Sequence, residues 1–122
     1  MGLKTLVIGA SLNEDRYSNM AVRLLTDYQH EVVAFGLKSG AISGVSIDSE
    51  LKNYENIDTV SMYLNPTRQK EFYNYIISLK PRRVIFNPGT ENNEFQQLLF
   101  KEGIQFEEAC TLVLLRTNQF DN

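Results

Sequence analysis

Side chains able to act as nucleophiles or soft metal ligands are scarce: the 122 residues hold one histidine, His30, and one cysteine, Cys110. A lone cysteine excludes an internal disulfide and any Cys-x-x-Cys pair, and the two residues together are too few for a structural zinc site. His30 stands just before an expected strand, at its amino end, and reads as a surface histidine. Cys110 lies among Ala109, Leu112 and Val113 with no histidine to lower its pKa, and reads as a small buried hydrophobe. Glu91 and Glu94 open an expected helix, where carboxylates favour the dipole without acid–base work. Arg82 and Arg83 precede a strand and read as solvated charge. Tyr17 and Tyr63 could stack on a base or simply pack. No titratable pair can be assembled, so the expectation is a protein that binds without catalysing.

What the chain offers instead is four clusters of small and polar residues: Gly9-Ala10-Ser11, Phe35-Gly36-Leu37-Lys38, Tyr63-Leu64-Asn65-Pro66 and Asn87-Pro88-Gly89-Thr90-Glu91-Asn92. Small residues let a ligand approach the backbone, and a following helix N-terminus presents unpaired N–H groups to an anion. The common phosphate signatures are missing. Only Gly9 fits G-x-G-x-x-G, with Ser11 and Glu14 at the other glycine positions, and no G-x-x-x-x-G-K-[ST] occurs. Sites for NAD place an acid at the end of the second strand to hold the ribose 2′-hydroxyl. Here that place carries Lys38, a cation suited to a ribose phosphate.

The elements that must position these clusters follow from periodicity. Residues 5–8, 32–35 and 84–86 are apolar runs closed by Gly9, by Gly36 and by Asn87-Pro88-Gly89, and read as buried strands. Val60, Met62 and Leu64 alternate with Thr59, Ser61 and Tyr63, predicting a strand with one more polar face. Weaker strands are expected at residues 42–47 and 104–106. Ala21, Leu24, Leu25 and Tyr28 share a helical face, with Ser18 or Asn19 as the N-cap. Asn65-Pro66 starts a second helix bearing Phe72, Tyr75, Ile76 and Leu79, which Pro81 stops. Asn92 or Asn93 caps a third, with Phe95, Leu98 and Leu99 inward and Gly103 at its end; an apolar tail at residues 112–115 completes the chain. Apolar strands separated by helices mean a parallel sheet covered on both faces. The expected fold is α/β: an open, doubly wound, Rossmann-like parallel sheet of about six strands in three αβα layers, one domain over residues 1–122. Ligands of such sheets bind outside the carboxyl ends of the strands, where all four clusters leave.

Twelve Lys and Arg against fifteen Asp and Glu give a net charge of −3, which argues against a general nucleic-acid binder. No segment approaches the ~20 apolar residues of a membrane span. The run at residues 6–8 ends at Gly9 without a cleavage site, so the expectation is a cytoplasmic protein.

At these residues the chain resembles the small stand-alone CoA-binding proteins of the Rossmann type, and more distantly the CoA-binding domain of the succinyl-CoA synthetase alpha subunit. The likeness runs from about Thr5 to Phe120. It is carried by Val7-Ile8-Gly9-Ala10-Ser11, Arg16-Tyr17-Ser18-Asn19, Asp58-Thr59-Val60-Ser61, Asn87-Pro88-Gly89-Thr90-Glu91-Asn92 and Glu108-Ala109-Cys110-Thr111. The resemblance implies that coenzyme A, or an acyl-CoA, is the ligand. It places the pyrophosphate on Gly9, Ala10, Ser11, Arg16, Tyr17, Ser18 and Asn19, and the adenosine end beside Gly36 and Lys38. Tyr63, Asn65 and Pro66, with Asn87, Pro88 and Gly89, would line the nucleotide cleft. Gly9 is expected to leave room for the ligand, so that Gly9→Val would block binding while the fold survives. Two departures stand out: Gly36-Leu37 where the family usually has Asn-Pro before the lysine, and Asn92-Asn93-Glu94 where it often has Asn-Pro-Glu. The synthetase relatives use a phosphorylated histidine from a further domain that this chain lacks. Alternatives are an NAD- or nucleotide-binding redox module, which Lys38 opposes, and a small CoA-dependent enzyme such as an acyl-CoA hydrolase or ligase subunit. A protein partner that receives the ligand is conceivable from the sequence but unspecified.

Overall fold

Residues that are apolar at successive positions bury both faces of a strand, and the first strand shows it. In the computed structural model, which describes residues 2–121, β1 (Thr5–Ala10) lies in the middle of a sheet. It pairs in parallel with β2 (Val32–Gly36) on one side and with β5 (Thr59–Met62) on the other. Beyond β5 the sheet continues in parallel through β6 (Arg83–Phe86) to β7 (Gln105–Glu108). Beyond β2 it continues through β4 (Val45–Asp48), parallel to β2, to β3 (Gly40–Ile42). The order is therefore β3-β4-β2-β1-β5-β6-β7.

Alternate residues of the central strands feed two separate cores. Val7, Ala34 and Ile85 pack with Val22, Leu25 and Leu115 from α1 (Tyr17–Asp27) and α5 (Thr111–Arg116) on one face. Leu6, Ile8, Val60, Met62, Val84 and Phe86 pack on the other face against the segment that follows Asn65. That segment comprises α2 (Pro66–Gln69), a 3-10 turn (Lys70–Phe72) and α3 (Tyr73–Ser78), and α4 (Asn93–Lys101) lies beside it. Helices on both faces of a mostly parallel sheet are the doubly wound αβα arrangement the sequence predicts. Among the described residues no helix is long and apolar enough to cross a membrane.

Several elements depart from expectation. Residues 42–47 do not form one strand but a hairpin, turning at Ser43 and Gly44 with φ of 49° and 81°. Positive φ at both central residues matches the twist of paired strands, and it gives seven strands, one of them antiparallel. The helix expected from Asn65 onward is broken by the 3-10 turn, although Phe72 and Ile76 still point inward. The polar face of β5 is not exposed; Thr59 and Ser61 are buried and hydrogen-bonded. Arg83 is not solvated either. It is 5% exposed, donates from Nε to the Thr59 hydroxyl at 2.9 Å and from Nη2 to the Phe120 carbonyl, and lies 4.6 Å from the Phe120 ring centroid. Arg82 is exposed but committed, with two nitrogens on the Asp58 carboxylate at 2.9 and 3.0 Å. Burial pushes that carboxyl up, yet Arg82 and the Thr59 hydroxyl outweigh it and hold Asp58 below its ordinary value. His30 is half-buried rather than a free surface group: Nδ1 accepts the Leu3 N–H at 2.8 Å and its ring meets Phe120 edge-on.

Candidate functional site

From β1 the chain leaves to one face through α1, and from β5 it leaves to the other through α2. Neighbouring parallel strands whose connections diverge leave a crevice at their carboxyl ends. Here the crevice is a cleft of about 910 Å³, within the ~300–1,000 Å³ of small-molecule sites.

The first wall is the turn out of β1. Gly9, Ala10 and Ser11 line it, followed by Arg16, Tyr17 and Ser18. Gly9 has φ of +96° where the β1–β2 register shifts, and a Cβ there would stand 2.9 Å from the Tyr63 carbonyl carbon. Its missing side chain therefore makes room for the backbone of β5's exit, not for a ligand, and Gly9→Val would strain the fold itself. Gly36 likewise leaves space for the Ala10 carbonyl.

The loop then closes on itself. Asn13 N–H donates to the Ser11 hydroxyl at 3.1 Å, Asp15 N–H to Asn13 Oδ1 at 2.9 Å, and Arg16 N–H to the Asn13 carbonyl at 3.0 Å. This winds the chain into helix earlier than expected, so Arg16, not Ser18 or Asn19, is the N-cap. No side chain caps it, and the N–H groups of Tyr17 and Ser18 find no acceptor among the described residues. Asn19 does not face the cleft. It is 2% exposed, donates to the Ser11 carbonyl at 2.9 Å and accepts from Arg23 Nε at 2.8 Å, which braces the loop from behind.

The opposite wall comes from the exits of β2 and β5. Gly36 and Lys38 line it from β2, Tyr63 and Asn65 from β5, and Pro88 from β6. Asn65 caps α2, its side chain accepting the Arg68 N–H at 3.0 Å, and Pro66 takes the first helical position without reaching the cleft. Sequence reading stopped at Pro66 and missed Arg68, which lines the cleft two residues on. An arginine in the first turn after an Asn-Pro cap was the available signal. Arg16, Lys38 and Arg68 thus converge on one cleft, and none is in an ion pair among the described residues. Phe35 and Phe72, whose rings meet edge-on at 5.4 Å, add an aromatic floor; Phe35 stands in the second of the four clusters, whereas Phe72 was expected only on the inward face of a helix.

Asn87 and Gly89 are not part of the lining. Asn87 is buried, donating to the Ser61 hydroxyl and the Met62 carbonyl at 3.0 and 2.9 Å and accepting the Thr111 N–H at 2.8 Å. It ties β6 to β5 and to the start of α5. Gly89 donates its N–H to the Glu91 carboxylate at 3.0 Å. Gln69, unremarked in the sequence, is fully buried and bridges two loops, donating to the carbonyls of Leu64 and Thr90 at 2.8 Å. Cys110 is half-buried at the N-cap of α5, not enclosed as expected. The nearby Tyr63 hydroxyl is buried without a partner in hydrogen-bond geometry, and burial, reinforced by the Cys110 thiol, pushes its pKa up.

An open helix start, a cluster of unpaired cations and an aromatic floor describe a site for an anionic nucleotide-like molecule. Residues 4–116 match the family described as the CoA binding domain. The chain belongs to that family. A crystal structure of an uncharacterized protein is 44% identical, with a TM-score of 0.95 over 98% of this chain and 99% of that one. A Thermus thermophilus structure, cell-free ID.343, gives 19% identity and a TM-score of 0.82 over 98% of this chain and 91% of that one. A dinucleotide-forming acetyl-coenzyme A synthetase from Ca. Korarchaeum cryptofilum, solved with phosphate and ADP, gives 12% and 0.70 over 87% of this chain and 25% of that one. The last two show a shared fold. Comparison with curated proteins gives no match.

Proposed function

We propose that this protein binds coenzyme A or an acyl-CoA in the carboxyl-edge cleft and performs no chemistry on it. The pyrophosphate lies over the start of α1, where the Tyr17 and Ser18 N–H groups are free and Arg16 stands beside them. Oriented N–H groups and the helix dipole favour an anion there, and an uncapped start leaves nothing to displace. Lys38 and Arg68 take the phosphate on the adenosine ribose. The observation that carries this reading is the combination of the uncapped α1 with three unpaired cations in one cleft. The binding-only role is supported by the lining, which among the described residues holds neither histidine nor cysteine and a single carboxylate, Glu71. His30, the one histidine, is engaged with Leu3 and Phe120 at the amino edge.

Isothermal titration with CoA, dephospho-CoA, NAD and ATP tests the proposal. CoA should bind most tightly, dephospho-CoA should lose part of the affinity, and NAD should bind weakly. Tighter binding of NAD than of CoA would contradict it and favour a redox module.

A further inference from the structure

Among the described residues, Glu71 is the only carboxylate that lines a cleft carrying Arg16, Lys38 and Arg68. It is exposed on the 3-10 turn and makes no ion pair with any described residue, although Arg68 sits three residues before it. A carboxylate beside a phosphorylated ligand weakens binding unless it accepts a hydrogen bond from a neutral donor on that ligand. The surroundings indicate which donor. Phe72, the next residue, lies edge-on to Phe35, and Leu37, with most of its surface exposed, also lines the cleft. This apolar ground suits a flat base, and Lys38, which lines the same cleft, suits the sugar phosphate to which that base is joined.

We infer that Glu71 accepts a hydrogen bond from the exocyclic amino group of the ligand's adenine and so makes the cleft selective for an amino-bearing base. The inference rests on the proposal that CoA occupies this cleft. Glu71 touches ligand without reacting; it is a specificity residue.

The test compares adenosine 3′,5′-bisphosphate with purine riboside 3′,5′-bisphosphate, which lacks only the amino group, each measured by displacement of CoA. The wild-type protein should prefer the adenosine compound by about three- to tenfold, as for one exposed hydrogen bond to a charged group. Glu71→Ala should erase the preference, weakening the adenosine compound while tightening the purine compound, because a negative charge has left the anion site. Glu71→Gln, which keeps an accepting oxygen, should retain part of the preference. A structural role would move both ligands in the same direction. A preference that survives in Glu71→Ala, an absent preference in the wild type, or failure of the adenosine compound to displace CoA would overturn the inference. Failure of CoA itself to bind the wild type would instead overturn the reading beneath it.

Discussion

Lys38 and Arg68 reach the cleft from different elements, one from the loop after β2 and the other from the first turn of α2. Coenzyme A differs from its dephospho form by one ribose phosphate, which carries ~1.5–2 negative charges at neutral pH. Both cations are exposed, so each contributes at the low end for a charge-assisted contact, and salt weakens it. Lys38→Ala should weaken CoA by roughly three- to tenfold and Arg68→Ala by a similar factor, while dephospho-CoA barely responds. The preference of the wild type for CoA over dephospho-CoA should also shrink as salt rises. Calorimetry of wild type and both variants against both ligands decides it. Equal losses for the two ligands would mean that the residue supports its loop and does not read the phosphate. Lys38 was legible in the sequence because the second-strand position is fixed by the fold. Arg68 was passed over because a single cation in the first turn of a helix has no periodic signature.

At the scale of elements, strands declared themselves wherever burial on both faces made every residue apolar, as in β1, β2 and β6. The start of α1 did not. Ser18 and Asn19 have good capping side chains, but the Asn13–Arg16 turn closes first and commits Asn19 to bracing the loop. The α1–β2 connection hid a second feature, because the partners of His30 come from the opposite ends of the chain, Leu3 and Phe120. Burial lowers the His30 pKa from its ordinary 6.5, with Arg83 adding to the effect and Asp121 opposing it. The unfolded chain therefore binds the additional proton. The stabilisation is complete above about pH 6.5 and is lost as pH falls through the lower folded value. His30→Gln, which keeps an acceptor for Leu3 N–H, should flatten the loss of stability between pH 7.5 and 5.5, about a unit either side of the free value. Urea unfolding at both pH values checks this; an unchanged pH dependence would show that His30 is not the titrating group.

Across the whole molecule, polar side chains sort by the edge they serve. At the amino edge Arg83, Thr59 and Asp58 lock β5 and β6 together, and His30 fastens the two ends of the chain over them. At the carboxyl edge Asn87 and Gln69 tie the loops internally, which leaves Arg16, Lys38 and Arg68 free to face a ligand. The chain's net charge of −3 makes that local concentration of unpaired cations more telling than composition suggested. Most of the residues that sequence reading assigned to the carboxyl edge line the cleft there. Asn19, Pro66, Asn87 and Gly89 do not line it, and Gly9 lines it but is a glycine for the sake of the β5 backbone, because a residue that shapes a loop and one that touches a ligand belong to the same types. The central claim is that the free start of α1 receives the CoA pyrophosphate, and amide NMR during a CoA titration tests it most directly. The Tyr17 and Ser18 N–H resonances should show the largest shifts, downfield as they gain an anionic acceptor, with smaller changes at Lys38 and Arg68. Saturating CoA that leaves Tyr17 and Ser18 unmoved, or that shifts the α4–β7 edge instead, would contradict the account.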